Sequence, residues 1–276
     1  MEAYEARRRF TELVSRPSGE FRLAESALLI AQEEYPHLDL AAYLQRLDAL
    51  AARIAARLGL ELDPQRIVAA INTTLFEEEG FRGNQDNYYD ARNSFLNEVL
   101  DQKTGIPITL SVVYLDLGRQ VGLPIVGVGL PGHFIVQYRA HSTPFWIDPF
   151  HYGQILSRED CITRVAQFYG QELTWQDAFL QPVSDHAILT RMLNNLKVIY
   201  VHQRDYHRAL GVVERLVLLL PDSAAEIRDR GLLHAQLGHL ETALDDLEHY
   251  LQLAREAPDA LVISQHIAAL RHQLRR

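Results

Sequence analysis

The chain has 276 residues, 47% of them hydrophobic and 23% charged, a balance that suits a soluble globular protein with a substantial core. Its length predicts one large domain or two smaller ones. A formal net charge of −9 argues against nucleic acid or an anionic membrane as partner, since both require a positive field; Arg7, Arg8 and Arg9 make only a small basic group.

The N-terminal run "MEAYEARRRFTELVSRPSGEF" mixes glutamates with arginines and lacks a continuous apolar core, so it does not read as a signal peptide. No apolar run approaches the roughly 18–20 residues that cross a bilayer. The single cysteine, Cys161, excludes an internal disulfide and fits a reducing compartment. The expectation is a cytoplasmic protein with no membrane partner.

Residues 1–80 read as helical. "DLAAYLQRLDALAARIAARL" opens on Asp39 as an N-cap and places Leu40, Tyr43, Leu44, Leu47, Leu50, Ala51, Ile54 and Leu58 on one stripe, stopping at Gly59. Asp63-Pro64 starts the next helix, which is expected to run to Gly80. "FRGNQDNYYDARNS" then reads as a polar, aromatic loop ending in a Ser94 cap, followed by a short helix, "LNEVLDQK". Helical spacing resumes over "ITLSVVYLDLGRQV" until Gly122-Leu123-Pro124.

From 125 to 150 the period becomes two. Phe134, Val136 and Tyr138 alternate with His133, Ile135 and Gln137, and "IVGVGL" and "FWIDPF" flank them, which predicts an antiparallel sheet with a helix packed on it. Gly127, Gly129 and Gly132 do not lead a strand into a helix and are not a phosphate loop. From about 186 the chain is helical again and repeats. A shift of thirty-four residues sets Tyr206 on Leu240, Ala209 on Ala243, Val213 on Leu247 and Val217 on Leu251, the tetratricopeptide period. "ALVISQHIAALRHQL" reads as a terminal cap, and a stack this short is expected to pack on the middle domain.

The fold class is therefore α+β in three parts. A helical segment covers 1–80, a helix on an antiparallel sheet 81–185, and a helical repeat tail 186–276.

The run "GFRGNQDNYYDARNSFLNEVLDQKTGIPITLSVVYLDLGRQVGLPIVGVGLPGHFIVQY", with "WIDPF" after it, resembles the SirB-type branch of the transglutaminase-like superfamily, whose members carry a tetratricopeptide tail. "ALLIAQEEYPHLDLAAYLQRLDALA" is similar to the same branch, so the resemblance covers nearly the whole chain. It implies a core in which a cysteine at the start of the central helix is activated by a histidine from the sheet and an aspartate from the next strand. On that resemblance His133 matches the histidine and Asp148 the aspartate. The cysteine slot falls on Pro107, which has no nucleophile.

Thr109, two positions on, is either a substitute nucleophile served by His133 and Asp148 or a hydroxyl that satisfies free N–H groups at a helix start. Cys161 lies beyond both partners in chain order and reads as packing. Asn84, Asp86, Tyr88, Tyr89 and Asn93 form either a ligand rim or a self-satisfied loop network. His202/His207 and His234/His239 are spaced at five, not at the three or four that sets two ligands on one helical face, so neither a metal site nor a cofactor is expected.

The leading expectation is a non-catalytic module that binds a peptide or protein through the degenerate cleft, the repeat groove or both. The alternative is a hydrolase or acyltransferase using His133 and Asp148 with Thr109 or an activated water, and a third reading is a structural scaffold. The first two differ in whether a hydroxyl or thiol stands within hydrogen-bond reach of His133.

Overall fold

Capping aspartates set the third and fourth helices. The computed structural model describes residues 2–60, 63–139, 144–170 and 172–275. Within it, α1 spans Glu2–Val14, α2 Leu23–Glu34, α3 Leu40–Leu58 and α4 Pro64–Asn72. Asp39 accepts from the Ala42 N–H at 3.1 Å and Asp63 from the Arg66 N–H at 3.0 Å, each satisfying a donor that a helix start leaves free. The α3 stripe buries Leu40, Leu47, Leu50, Ala51 and Ile54. The helix expected to reach Gly80 changes register instead. Thr73–Glu78 is a π segment, and its wider turn buries Thr74, Leu75 and Phe76.

A two-residue strand follows, β1 (Arg82–Gly83). A 3₁₀ turn at Ala91–Ser94 leads to α5 (Leu96–Gln102), then β2 (Thr104–Gly105), which pairs parallel with β1, and α6 (Pro107–Gln120). Ser94 is not the cap. Asp90 caps the 3₁₀ turn by accepting from the Arg92 N–H at 2.9 Å, and α5 has Phe95 at its N-cap position, with no side-chain cap bond.

The sheet comprises β3 (Ile125–Val128), β4 (Ile135–Tyr138), β5 (Phe145–Asp148) and β6 (Gln154–Leu156). After α7 (Arg158–Tyr169), β7 (Pro182–Val183) closes its far edge. Among the described residues these five strands run β6-β5-β4-β3-β7, every neighbour antiparallel. β4 is central, and both of its faces are covered. α6 packs on β3 and β4, while Ile135 joins a second cluster with Val128, Trp146, Leu156, Cys161 and Val165 on the α7 side. Ile135 and Val136 are therefore both buried, and the period-two alternation marks two covered faces instead of one wet face. The strand begins at Ile135, so His133 sits in the turn before it.

Two ion pairs fasten α6. Asp116 accepts a bidentate pair from Arg22 at 2.8 and 2.7 Å, and Arg119 makes a second with Asp185, the first residue of α8 (Asp185–His202). The chain divides into two compact units, Met1–Met192 and Leu193–Arg276, so the N-terminal helices and the sheet share the first.

The second unit contains α9 (Tyr206–Leu219), α10 (Ala224–Gln236), α11 (Leu240–Leu253) and α12 (Ala260–Leu274). α9 and α11 start thirty-four residues apart, and Ala209, Val213, Ala243 and Leu247 are all fully buried. α10 crosses α11 so closely that a Cβ on Gly231 would come within 2.9 Å of Leu247. One of the histidine pairs spaced at five is brought together from two elements: the turn between α10 and α11 sets Nδ1 of His234 and His239 3.1 Å apart. Among the described residues no helix is long and apolar enough to cross a membrane.

Candidate functional site: a histidine–aspartate cluster beside an aromatic cavity

The turn Leu130–His133 aims the histidine. Pro131 and Gly132 occupy its centre, with φ of +68° at Gly132, the position where a type II turn needs glycine, and the His133 N–H closes it on the Leu130 carbonyl at 3.1 Å. Arg191 of α8 reaches both turn carbonyls, donating to Leu130 at 3.3 Å and to His133 at 2.9 Å.

Asp148 ends β5 and is fully buried. Its Oδ2 faces Nε2 of His133 at 2.7 Å and Nδ1 of His151 at 2.9 Å. Arg164, from α7, donates to the same oxygen and to Nδ1 of His151, the latter at 2.7 Å. Oδ1 accepts the N–H groups of Phe150 and His151 at 3.0 and 3.3 Å. A buried carboxylate is costly unless its lone pairs are filled, and here backbone, imidazole and guanidinium donors fill them. The loop carrying His151 is pinned from α4, where Asn72 donates to the Gly153 carbonyl at 3.0 Å and accepts from the Tyr114 hydroxyl at 3.0 Å.

Burial pushes the His133 imidazole down to about 3, with Arg164, His151 and Arg191 adding to the shift, and burial lowers His151 as well. His133 is therefore neutral near pH 7. Nε2 carries the proton toward Asp148, and Nδ1 keeps its lone pair. Among the described residues no hydroxyl, thiol or other group bonds to Nδ1.

A cavity of about 530 Å³ opens beside the cluster, lined by His133, His151, Arg164, Pro107, Phe150, Phe168, Tyr88 and Tyr89, with Gln85 and Gln167 among its polar members. Pro107, the first residue of α6, thus shares a cavity with His133. Thr109 is fully buried and its hydroxyl is engaged, donating to the Asn93 carbonyl at 2.8 Å and accepting from the Ile106 N–H at 3.2 Å. Cys161 lies in the apolar cluster under α7, where burial and the nearby Asp160 and Glu159 push its thiol up to about 12.

The polar loop divides by residue type. Tyr88 and Tyr89 line the cavity, whereas Asn84 and Asn93 bond to each other at 2.9 Å and border a separate polar cleft of about 230 Å³. Asn93 also donates to the carbonyls of Asn87 and Tyr88, so the asparagines hold the stretch that presents the tyrosines. Asp86 is exposed and lines neither space.

His133, Asp148 and His151 offer ligand atoms within 4.8 Å of one another, a donor set that a divalent ion can use. The Arg164 guanidinium bonds Asp148 and His151 together, so its positive charge stands where an ion's would.

The family model described as transglutaminase-like superfamily matches residues 41–194, and a tetratricopeptide repeat model matches 196–268. The chain belongs to the transglutaminase-like superfamily. Among relatives of this transglutaminase-like chain, the UPF0162 protein of Xylella fastidiosa is 36% identical over 258 residues, 91% of this chain and 90% of that one. UPF0162 protein YchA of Escherichia coli is 27% identical over 258 residues, 91% of this chain and 93% of its own. F-box only protein 21 of Pongo abelii is 29% identical over 202 residues, 69% of this chain but 31% of that protein.

Sequence reasoning about this transglutaminase-like core missed His151, Arg164, Phe150, Phe168 and Arg191. "DPFH" held the one usable signal, an aspartate followed three residues later by a histidine. Arg164, Phe168 and Arg191 reach the site only because α7 and α8 pack there.

Proposed function

We propose that this protein is a non-catalytic, transglutaminase-like binding module whose cleft beside His133 takes a segment of a partner peptide. The observation that carries the reading is the content of the cavity: the position that supplies the thiol in the active pattern is Pro107, and His133 has no hydroxyl or thiol bonded to it among the described residues. Thr109 spends its proton on a backbone carbonyl. Aromatic side chains at a concave site supply large apolar contact at little entropic cost, which suits peptide recognition. The tetratricopeptide unit adds a second surface of a kind that binds extended protein segments.

The alternative, hydrolysis by a water activated at Nδ1 of His133, draws support from the 2.7 Å contact to Asp148. An imidazole pushed down to about 3 is a weak base at neutral pH, which counts against it. One experiment separates the two. A random-peptide display library panned on the full chain should enrich binders whose capture falls in Tyr89→Ala or Phe168→Ala, while p-nitrophenyl acetate turnover stays at background. Ester or peptide turnover that disappears in His133→Ala would make this an enzyme and overturn the reading.

A further inference from the structure

The cavity beside His133 is walled by rings. Tyr88, Tyr89, Phe150 and Phe168 line it, and Tyr89 and Phe168 remain 77% and 70% exposed. Its one charged lining residue among the described ones is Arg164, which Asp148 already neutralises. A charged guest would shed hydration here and find no free counter-ion, so the walls favour a neutral one.

One polar group in the lining has a fixed and unused capacity. Asp148 is held as a carboxylate by Arg164 and its backbone donors and can only accept, so the ring proton of His133 lies on Nε2. Nδ1 is then a pure acceptor, without a partner among the described residues. A guest ring that displaces water from this acceptor has to supply an N–H or O–H in its place. A neutral ring that carries one donor meets both demands.

We propose that the cavity receives a tryptophan or tyrosine side chain of a partner peptide, its ring against the aromatic walls and its N–H or O–H donated to Nδ1 of His133. The inference rests on the peptide-binding reading and names what anchors the peptide. A volume of about 530 Å³ holds such a ring together with part of its flanking backbone. Phenylalanine fills the same space but leaves Nδ1 covered and unpaired, which sets it apart from the two donor-bearing rings.

The test uses the full chain and three small amides: N-acetyl-tryptophanamide, its 1-methylindole analogue and N-acetyl-phenylalaninamide, titrated by ligand-observed NMR. N-acetyl-tryptophanamide should bind about five- to tenfold tighter than the other two, the worth of one hydrogen bond to a covered acceptor. His133→Phe, a ring of similar size with no acceptor, should erase that preference. Phe168→Ala, at an exposed position where loss of the fold is not at issue, should weaken all three amides together. Equal affinity of the three amides for wild type overturns the proposal, and so does a preference that survives in folded His133→Phe. If that variant does not fold, the wild-type comparison decides alone. Equal affinities that still fall in Phe168→Ala would remove the donor assignment and leave the peptide cleft standing, whereas acyl turnover would remove both.

Discussion

Nε2 of His133 lies 2.7 Å from Oδ2 of Asp148, while Nδ1 of the same ring meets no protein group among the described residues. One face of the imidazole is committed to the fold and the other is open. The committed face belongs to a charge cluster that includes Arg164 and His151, so this contact has consequences for stability as well as for recognition.

The first consequence is a pH dependence with a definite sign. The folded chain keeps His133 neutral down to about 3, whereas the unfolded chain protonates it near 6.5. Between those values the unfolded state binds more protons, so stability is full above about pH 6.5 and declines as pH falls toward 3, by at most about 1.4 kcal/mol per pH unit for one proton. Urea midpoints measured from pH 7 to pH 4 should fall, and more gently in His133→Phe. Parallel profiles for the two proteins would count against the assignment.

Asp148→Asn tests the cluster itself. The substitution keeps the shape but leaves Arg164 without its counter-charge and sets an amide donor among donors. A cost of about 3–5 kcal/mol is expected from urea denaturation, the range for breaking one side of a buried ion pair. A change within 0.5 kcal/mol, on the order of an ordinary surface substitution, would show that the carboxylate is not needed in ionised form.

Pro107→Cys asks whether the cavity can provide a thiol environment. Wild type should resist iodoacetamide while folded, because Cys161 is buried with its thiol pushed up to about 12. A thiol at the first residue of α6 would meet the positive end of the helix and share a cavity with His133, and it should label readily. Labelling no faster than that of Cys161 would mean that position 107 is closed to reagents.

Ala209→Leu examines the repeat. Ala209 is fully buried in α9, at the register position that Ala243 holds in α11. Inserting three carbons there should cost roughly 1–3 kcal/mol by overpacking, read as a lowered thermal midpoint. An unchanged midpoint would place Ala209 outside any tight crossing.

Much of this was legible because it is local. Asp39, Asp63 and Gly59 mark helix ends through bonds made within four residues, and Ala209 and Ala243 mark the repeat through sequence register alone. The His133–Asp148 contact was legible only through resemblance. The π segment at Thr73–Glu78 was not, since hydrophobic spacing over six residues does not separate π from α. Arg164 and Arg191 were invisible for a different reason: nothing in their neighbourhoods marks them, and their roles exist only once α7 and α8 are packed. The loop at 84–93 carried one polar signature with two physical meanings, and the bonds that Asn84 and Asn93 make separate the residues that hold it from those that face the cavity.

The crowded coordination of Asp148 also bears on how such a chain changes over generations. A side chain at the first position of α6 can be exchanged for proline with nothing left unpaired, because a helix start needs no N–H there. Asp148 cannot be exchanged so freely, since two backbone amides, an imidazole and a guanidinium would lose their acceptor together. The two positions therefore tolerate substitution unequally: the first residue of α6 can change at little structural cost, whereas a change at Asp148 strands four donors at once.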